Sequence, residues 1–124
     1  MTHRVVLVED DPTVRGVIEI LLATEPDLEL VGIAVTAEEG IRLVTDLLPD
    51  LVLLDNQLAG PMTGVQAAPS MKAAAPSVVV LLCTALDLAG VAASHPAIDG
   101  YLRKENLVNL LDQVRVLLPQ PGSA

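Results

Sequence analysis

Short apolar segments alternate with amphipathic segments along the whole chain. Five segments rich in Val, Leu and Ile predict β-strands, at residues 5–8, 28–34, 51–54, 78–83 and 100–102. The segments between and after them repeat apolar side chains at helical spacing and predict five helices, beginning near residues 12, 37, 65, 88 and 107. Regular alternation of strand and helix predicts an α/β fold with a doubly wound parallel sheet.

Individual residues indicate where several of these helices begin or break. Pro12 suits the first position of a helix. Thr36 and Glu39 have the spacing of a capping box, which predicts the start of the second helix. Pro69 lies inside the alanine-rich third helical segment, so we expect that helix to be interrupted there.

Polar side chains follow four of the five predicted strands. Asp10 and Asp11 follow the first strand, Asp55 the third, Thr84 the fourth, and Lys104 lies just after the fifth. In an open parallel sheet the functional crevice lies beyond the carboxyl ends of the strands. We therefore expect these five side chains to share one site, although Asp10 and Asp11 alone are equally typical of a helix N-cap.

The chemistry of that site follows from its side chains. Clustered carboxylates repel one another unless protons or a metal neutralise them, and oxygen ligands of this kind favour Mg²⁺. A carboxylate such as Asp55 can attack phosphorus to form an aspartyl phosphate. The hydroxyl of Thr84 and the ammonium of Lys104 would then stabilise charge on the transferred group.

Composition and charge restrict the function further. The 124 residues fit one domain, predicted over 1–118, and the segment 119–124 is typical of a linker or a free end. With 7 basic and 16 acidic residues the net charge is -9, which disfavours direct contact with nucleic acid and favours cationic partners or a divalent metal. Cys83 has no partner for a disulfide, and no leader or membrane-spanning stretch is predicted, so we expect a cytoplasmic protein.

The strand-end motifs together resemble the receiver domains of two-component response regulators. The resemblance rests on the acidic pair Asp10-Asp11 after the first strand, the stretch 49–55, the pair Thr84-Ala85 and the stretch 100–104, all in the order and at about the spacing of the family. It covers nearly the whole chain. It implies a flavodoxin-like sheet of order 2-1-3-4-5 with helices on both faces.

The resemblance also implies roles for individual residues. Asp55 would be the phosphoacceptor for a histidine kinase. Asp11 and Asp55 would bind Mg²⁺ directly, with Asp10 nearby and the backbone carbonyl of Gln57 as a further ligand.

Thr84 and Lys104 would sense the phosphoryl group, and Tyr101 occupies the position of the family's switch aromatic. Movement of Thr84 and Tyr101 would alter a surface formed by the fourth helix, fifth strand and fifth helix, through which the chain could form a homodimer.

Three features depart from the family pattern. The loop after Asp55 is one residue longer than usual, with Ala59 and Thr63 where the family commonly has proline and an acid. Glu105 replaces a proline that often follows a cis bond, so we expect a trans peptide there. The short span between residues 84 and 101 predicts a reduced or mobile fourth helix.

Residues 25–32 and the pair Lys104-Glu105 are similar to receivers of the NarL type, which carry a C-terminal helix-turn-helix domain. By this similarity, 119–124 would be the beginning of a linker, and a domain beyond it would bind DNA.

Two other functions remain as alternatives at this point. A pseudo-receiver would act as a protein-interaction module without phosphorylation. A phosphatase of the haloacid dehalogenase type needs an acid two residues after its nucleophile, where this chain has Gln57, so turnover of external substrates is not expected. Gln57 would instead help to position water for loss of the chain's own phosphate.

Overall fold

The computed structural model of the chain describes residues 2–118. Strands and helices alternate as follows: β1 His3–Val8, α1 Pro12–Ala23, β2 Leu28–Ala34, α2 Ala37–Leu47, β3 Leu51–Leu54, α3 Gly64–Ala74, β4 Val79–Thr84, α4 Ala89–Ser94, β5 Gly100–Arg103, a 3₁₀ helix Lys104–Asn109, and α5 Leu110–Leu117.

All five strands are parallel and lie in the order β2-β1-β3-β4-β5, as predicted. Val8 at the end of β1 pairs with Leu54 at the end of β3, and Leu54 pairs with Leu82 of β4. The strand order reverses between β1 and β3, so the residues that follow these two strands lie at the switch point of the sheet, where α/β proteins place their functional sites.

The core lies on both faces of the sheet because the central strands are apolar on both sides. Val6 and Val8 face the helices α2 and α3, whereas Val5 and Leu7 pack with α1 and α5. All four residues of β3 are buried. The sheet therefore holds the residues that follow β3 in a rigid environment.

Two details of the helices differ from the expectations. The interruption expected at Pro69 is wrong, since α3 continues through it; Pro69 lies on the exposed side, where water can hydrate the carbonyl that the ring leaves unpaired. The fifth helix starts later than residue 107, because the chain first forms a 3₁₀ turn over Lys104–Asn109 and becomes α-helical at Leu110.

Other expectations are confirmed within residues 2–118. The fourth helix is short, at six residues, and no peptide bond is cis, so the bond before Glu105 is trans. Thr36 caps α2 and accepts from the Glu39 N–H at 3.1 Å. No helix in this part of the chain is long and apolar enough to cross a membrane. The expected linker at 119–124 lies outside the described residues.

Candidate functional site

Three charged side chains meet at the carboxyl ends of β1, β3 and β5. The Lys104 Nζ lies 2.8 Å from Asp55 Oδ2 and 2.9 Å from Glu9 Oε1. Both acids are almost fully buried, with 1% of Glu9 and 3% of Asp55 exposed. One lysine thus bridges two buried carboxylates that come from different strands.

The sheet itself fixes the direction of these acids. The Asp55 N–H donates to the Val8 carbonyl at 3.0 Å, and the Glu9 N–H donates to the Ala34 carbonyl at 2.9 Å. Ladder hydrogen bonding therefore continues one residue beyond β1 and β3. The two side chains project from regular strand geometry and not from a flexible loop.

Backbone amides supply a second partner to each carboxylate. The Gln57 N–H donates to Asp55 Oδ1 at 3.3 Å, and the Asp11 N–H donates to Glu9 Oε2 at 3.1 Å. Both oxygens of each acid thus accept a hydrogen bond, which is what buried carboxylates require.

The two buried acids belong to an acidic group that is suited to a divalent cation. Glu9, Asp10 and Asp55 each offer a carboxylate oxygen, and these oxygens lie within 4.8 Å of one another. Asp10 is the exposed member of the group. Three hard oxygen donors with one exposed side fit Mg²⁺, which binds carboxylates and keeps several waters.

The position of Asp11 differs from the expectation. Within the described residues, the acidic group contains Glu9 and not Asp11. The Asp11 carboxylate caps α1, where it accepts from the N–H of Thr13 at 2.8 Å and of Val14 at 3.4 Å. Glu9 was not among the expected site residues, although Pro12 at the first helical position indicates that Asp11 is the N-cap and that the acids facing the strand ends begin one residue earlier.

Burial dominates the electrostatics of the site. Burial, with the nearby charge of Asp55, raises the pKa of Glu9 to about 7, although hydrogen bonds from Lys104 and Asp11 oppose this. Burial alone would lower the pKa of Lys104, but its hydrogen bonds to Asp55 and Glu9 raise it overall. Burial also raises the pKa of the Cys83 thiol to about 12, consistent with the expected buried packing role.

The two predicted switch residues lie beside this site on β4 and β5. Thr84 is fully buried at the end of β4, and its Oγ1 accepts from the Leu86 N–H at 3.3 Å. The Tyr101 hydroxyl donates to the Leu86 carbonyl at 2.8 Å and accepts from the Leu88 N–H at 3.0 Å. Tyr101 therefore holds the loop between β4 and α4.

Arg103, which was not among the expected site residues, also contacts that loop. Its Nη2 donates to the Ala85 carbonyl at 3.2 Å, and its Nε lies 3.4 Å from Glu105 Oε1. Side chains from two positions of β5 thus hold the segment that follows Thr84.

Comparison with known proteins identifies the family. Residues 5–115 match the response regulator receiver domain, and the chain belongs to this family. It is a regulatory domain of two-component signal transduction. The acidic group at the ends of β1 and β3 is consistent with the phosphorylation site of such domains.

Individual relatives show how much of a longer protein this chain matches. It is 34% identical over 118 residues to the response regulator protein VraR of Staphylococcus aureus, covering 93% of this chain and 56% of VraR. It is 37% identical over 95 residues to protein-glutamate methylesterase/protein-glutamine glutaminase 3 of Anaeromyxobacter dehalogenans, covering 77% of this chain and 27% of that protein. The chain thus spans about half or less of the length of these curated relatives.

A solved structure supports the same fold. The response regulator protein TrrA of Thermotoga maritima, crystallised in complex with Mg²⁺-BeF, superimposes with a TM-score of 0.82 at 28% identity, covering 95% of this chain and all of that one.

Proposed function

We propose that Asp55 accepts a phosphoryl group from a histidine kinase in the cytoplasm and that the chain acts as a phosphorylation-driven switch. The observation that supports this most directly is the bridging Lys104, whose ammonium contacts both buried carboxylates. A cation held at 2.8 Å from the nucleophile is placed to stabilise charge on a group transferred to it.

The proposed transfer forms one bond to phosphorus and breaks one. An Asp55 carboxylate oxygen forms a bond to phosphorus while the bond between phosphorus and the donor's histidine nitrogen breaks, and its electron pair leaves with the histidine. Lys104 stays paired with the anionic product. Thr84, buried at the end of the neighbouring strand, offers a hydroxyl to the phosphoryl oxygens.

The metal in this proposal is Mg²⁺. Asp10 and Asp55 would bind it directly with the backbone carbonyl of Gln57, and Glu9 would lie nearby, since these acids form the group described above. When bound, Mg²⁺ would neutralise negative charge on the carboxylates and the phosphoryl oxygens. Asp11 is left out because its carboxylate caps α1.

The test is phosphorylation by a small donor. Incubation with acetyl phosphate and Mg²⁺ should add one phosphoryl group to the intact mass, and Asp55→Asn should abolish the addition. Asp46→Asn, at an exposed acid of α2, is the matched control and should be labelled like wild type. Labelling that persists in Asp55→Asn would reject the proposed acceptor. Absence of both labelling and Mg²⁺ affinity in wild type would instead favour the pseudo-receiver.

For output, we propose that Thr84 and Tyr101 couple the phosphoryl group to the face formed by α4, β5 and α5. Exposed apolar side chains occur in these elements and in the 3₁₀ helix between β5 and α5, namely Val91 on α4, Val108 in the 3₁₀ helix and Val116 on α5, and would suit a homodimer contact. A helix-turn-helix domain of the NarL type, if present beyond residue 124, would bind DNA. Nucleic acid contact by the receiver itself is disfavoured by its acidic charge.

A further inference from the structure

The two ends of the loop between β3 and α3 are joined next to Asp55 by a contact that we call the neck, formed by Asn56, Gly64 and Val65. Asn56 contacts the start of α3 twice: its carbonyl accepts from the Gly64 N–H at 3.0 Å, and its Oδ1 accepts from the Val65 N–H at 3.0 Å. The two ends of the loop are therefore joined directly through one residue, the one that follows the proposed phosphoacceptor.

Gly64 allows this neck to close. A Cβ atom at Gly64 would lie 2.0 Å from the Asp55 carbonyl oxygen and 3.1 Å from the Asn56 Cα. Only a residue without a side chain fits at that distance. The first turn of α3 thus packs directly on the backbone that carries the Asp55 side chain.

Asn56 and Gln57, the two residues after Asp55, form hydrogen bonds in different directions. The Asn56 side chain is directed to α3, whereas the Gln57 N–H is directed to the Asp55 carboxylate. Since they are adjacent in the chain, a fixed Asn56 limits the positions that the Gln57 peptide can take. Gln57 is the residue whose carbonyl is proposed to bind Mg²⁺.

The tip of the loop, residues 58–62, has its own contacts with the rest of the protein. Ala59 forms an isolated bridge with Thr36, and Leu58 and Met62 pack against the core on the α2 and α3 side of the sheet. The tip is therefore attached to the protein separately from the neck. A change in the number of residues at the tip need not move the segment next to Asp55.

We propose that Asn56 is a positioning residue, which holds the segment after Asp55 that is proposed to bind Mg²⁺ against α3, independently of the contacts at the loop tip. The inference rests on the proposed function, because it concerns the Mg²⁺ site of the phosphoacceptor. It assigns a role in metal binding to a side chain that is not among the proposed ligands.

The experiment compares two side chains that each accept from an amide in the first turn of α3. Asn56→Ala removes the acceptor of the Val65 N–H, and Thr63→Ala removes the acceptor of the Gln66 N–H, at 3.2 Å. Both variants lose one helix-capping hydrogen bond, so both should show a similar fall in melting temperature. Only Asn56→Ala should affect the metal site.

Mg²⁺ affinity is measured by isothermal titration calorimetry on the unphosphorylated chain. We expect Asn56→Ala to bind Mg²⁺ about tenfold more weakly than wild type, as is typical when a residue supporting a metal ligand is lost. Thr63→Ala should stay within about twofold of wild type. Asn56→Asp keeps the acceptor at a helix N-terminus and should restore affinity, and it should also restore slow amide exchange at Val65 in the metal-free protein.

The outcomes separate this inference from the function on which it rests. Wild-type Mg²⁺ affinity in Asn56→Ala, or an equal loss in Thr63→Ala, would overturn the positioning role and leave the phosphoacceptor untouched. An Asn56→Asp variant as weak as Asn56→Ala would overturn it as well. Wild-type protein that neither binds Mg²⁺ nor accepts phosphate would overturn the proposed function, and this inference with it.

Discussion

The group formed by Glu9, Asp55 and Lys104, which we call the rim, and the segment that leads into α4 are stabilised by very different numbers of hydrogen bonds and ion pairs. At the rim, the oxygens of Glu9 and Asp55 each accept a hydrogen bond, and Lys104 joins the two acids. In contrast, Leu88, the N-cap residue of α4, makes no side-chain cap hydrogen bond, and the Asp87 carboxylate accepts from the Ala89 N–H at a long 3.4 Å. The helix has only six residues, four of them alanine or glycine.

This difference suits the rim to chemistry and the α4 segment to conformational change. Glu9, Asp55 and Lys104 are buried or half-buried and already paired, which is the preorganisation that the proposed phosphoryl transfer needs. The loop that leads into α4 is contacted from β5 by the Tyr101 hydroxyl, which hydrogen-bonds to Leu86 and Leu88, and by the Arg103 side chain, which donates to the Ala85 carbonyl. Regions that move in a switch are drawn from the less stable parts of a fold, and α4 fits that description.

The largest effect on stability should come from replacing one glycine by alanine in each of the two regions. Gly64→Ala places a Cβ against the Asp55 backbone and should lower the free energy of unfolding by about 3 kcal/mol. Gly90→Ala in α4 meets no atom within 4 Å and should raise it by up to about 1 kcal/mol, since alanine favours helix. Urea denaturation measures both, and destabilisation of equal size in the two variants would contradict the contrast.

A smaller effect should appear in the pH dependence of stability at the rim. Because the pKa of Glu9 is raised to about 7 in the folded protein, the folded state holds this proton more tightly than the unfolded state. Its stabilising contribution should be complete below about pH 4.5 and lost as pH rises through about 7, an effect on the order of 2 kcal/mol.

Denaturation in a metal-free buffer from pH 5 to 8 measures this dependence. Glu9→Gln should remove that part of the slope, whereas Glu38→Gln, at an exposed acid of α2, should follow the wild-type curve. Parallel curves for wild type and Glu9→Gln would show that Glu9 titrates normally and that the rim is less buried than described.

The smallest effect on stability is expected in the segment that leads into α4. Tyr101→Phe removes the hydroxyl that contacts the Leu86 carbonyl and the Leu88 N–H, and should cost about 1 kcal/mol or less because water can replace both contacts. Hydrogen exchange followed by mass spectrometry should become faster over 85–93 and remain unchanged over 55–65. Faster exchange at 55–65 would mean that the two regions form one cooperative unit.

Much of this arrangement could be predicted from the sequence. Strand periodicity and the strand-end rule brought Asp55, Thr84 and Lys104 to one edge of the sheet, and the resemblance to receivers supplied the strand order. The acids expected at the end of β1, Asp10 and Asp11, differ from those in the acidic group of the structure, Glu9 and Asp10, because periodicity does not distinguish Glu9 from Asp11. The signal was nevertheless present in Pro12, which fixes Asp11 as the cap of α1.

Other features depend on contacts that a linear pattern does not contain. The proposed role of Asn56 rests on the hydrogen bond that its side chain accepts from the Val65 N–H across an irregular loop. Pro69 was expected to break α3, but its exposed position makes the missing hydrogen bond tolerable. α5 starts later than expected because residues 104–109 first form a 3₁₀ helix.

The central claim, that Asp55 is the phosphoacceptor, is tested most directly by locating the phosphoryl group after acetyl phosphate treatment. Reduction of the acyl phosphate with borohydride converts the modified aspartate to homoserine, which peptide mass spectrometry can place in the sequence. We expect homoserine at position 55 only when Mg²⁺ is present, and none at Asp10 or Asp11. Homoserine at another acid, or labelling at position 55 that is independent of Mg²⁺, would contradict the account.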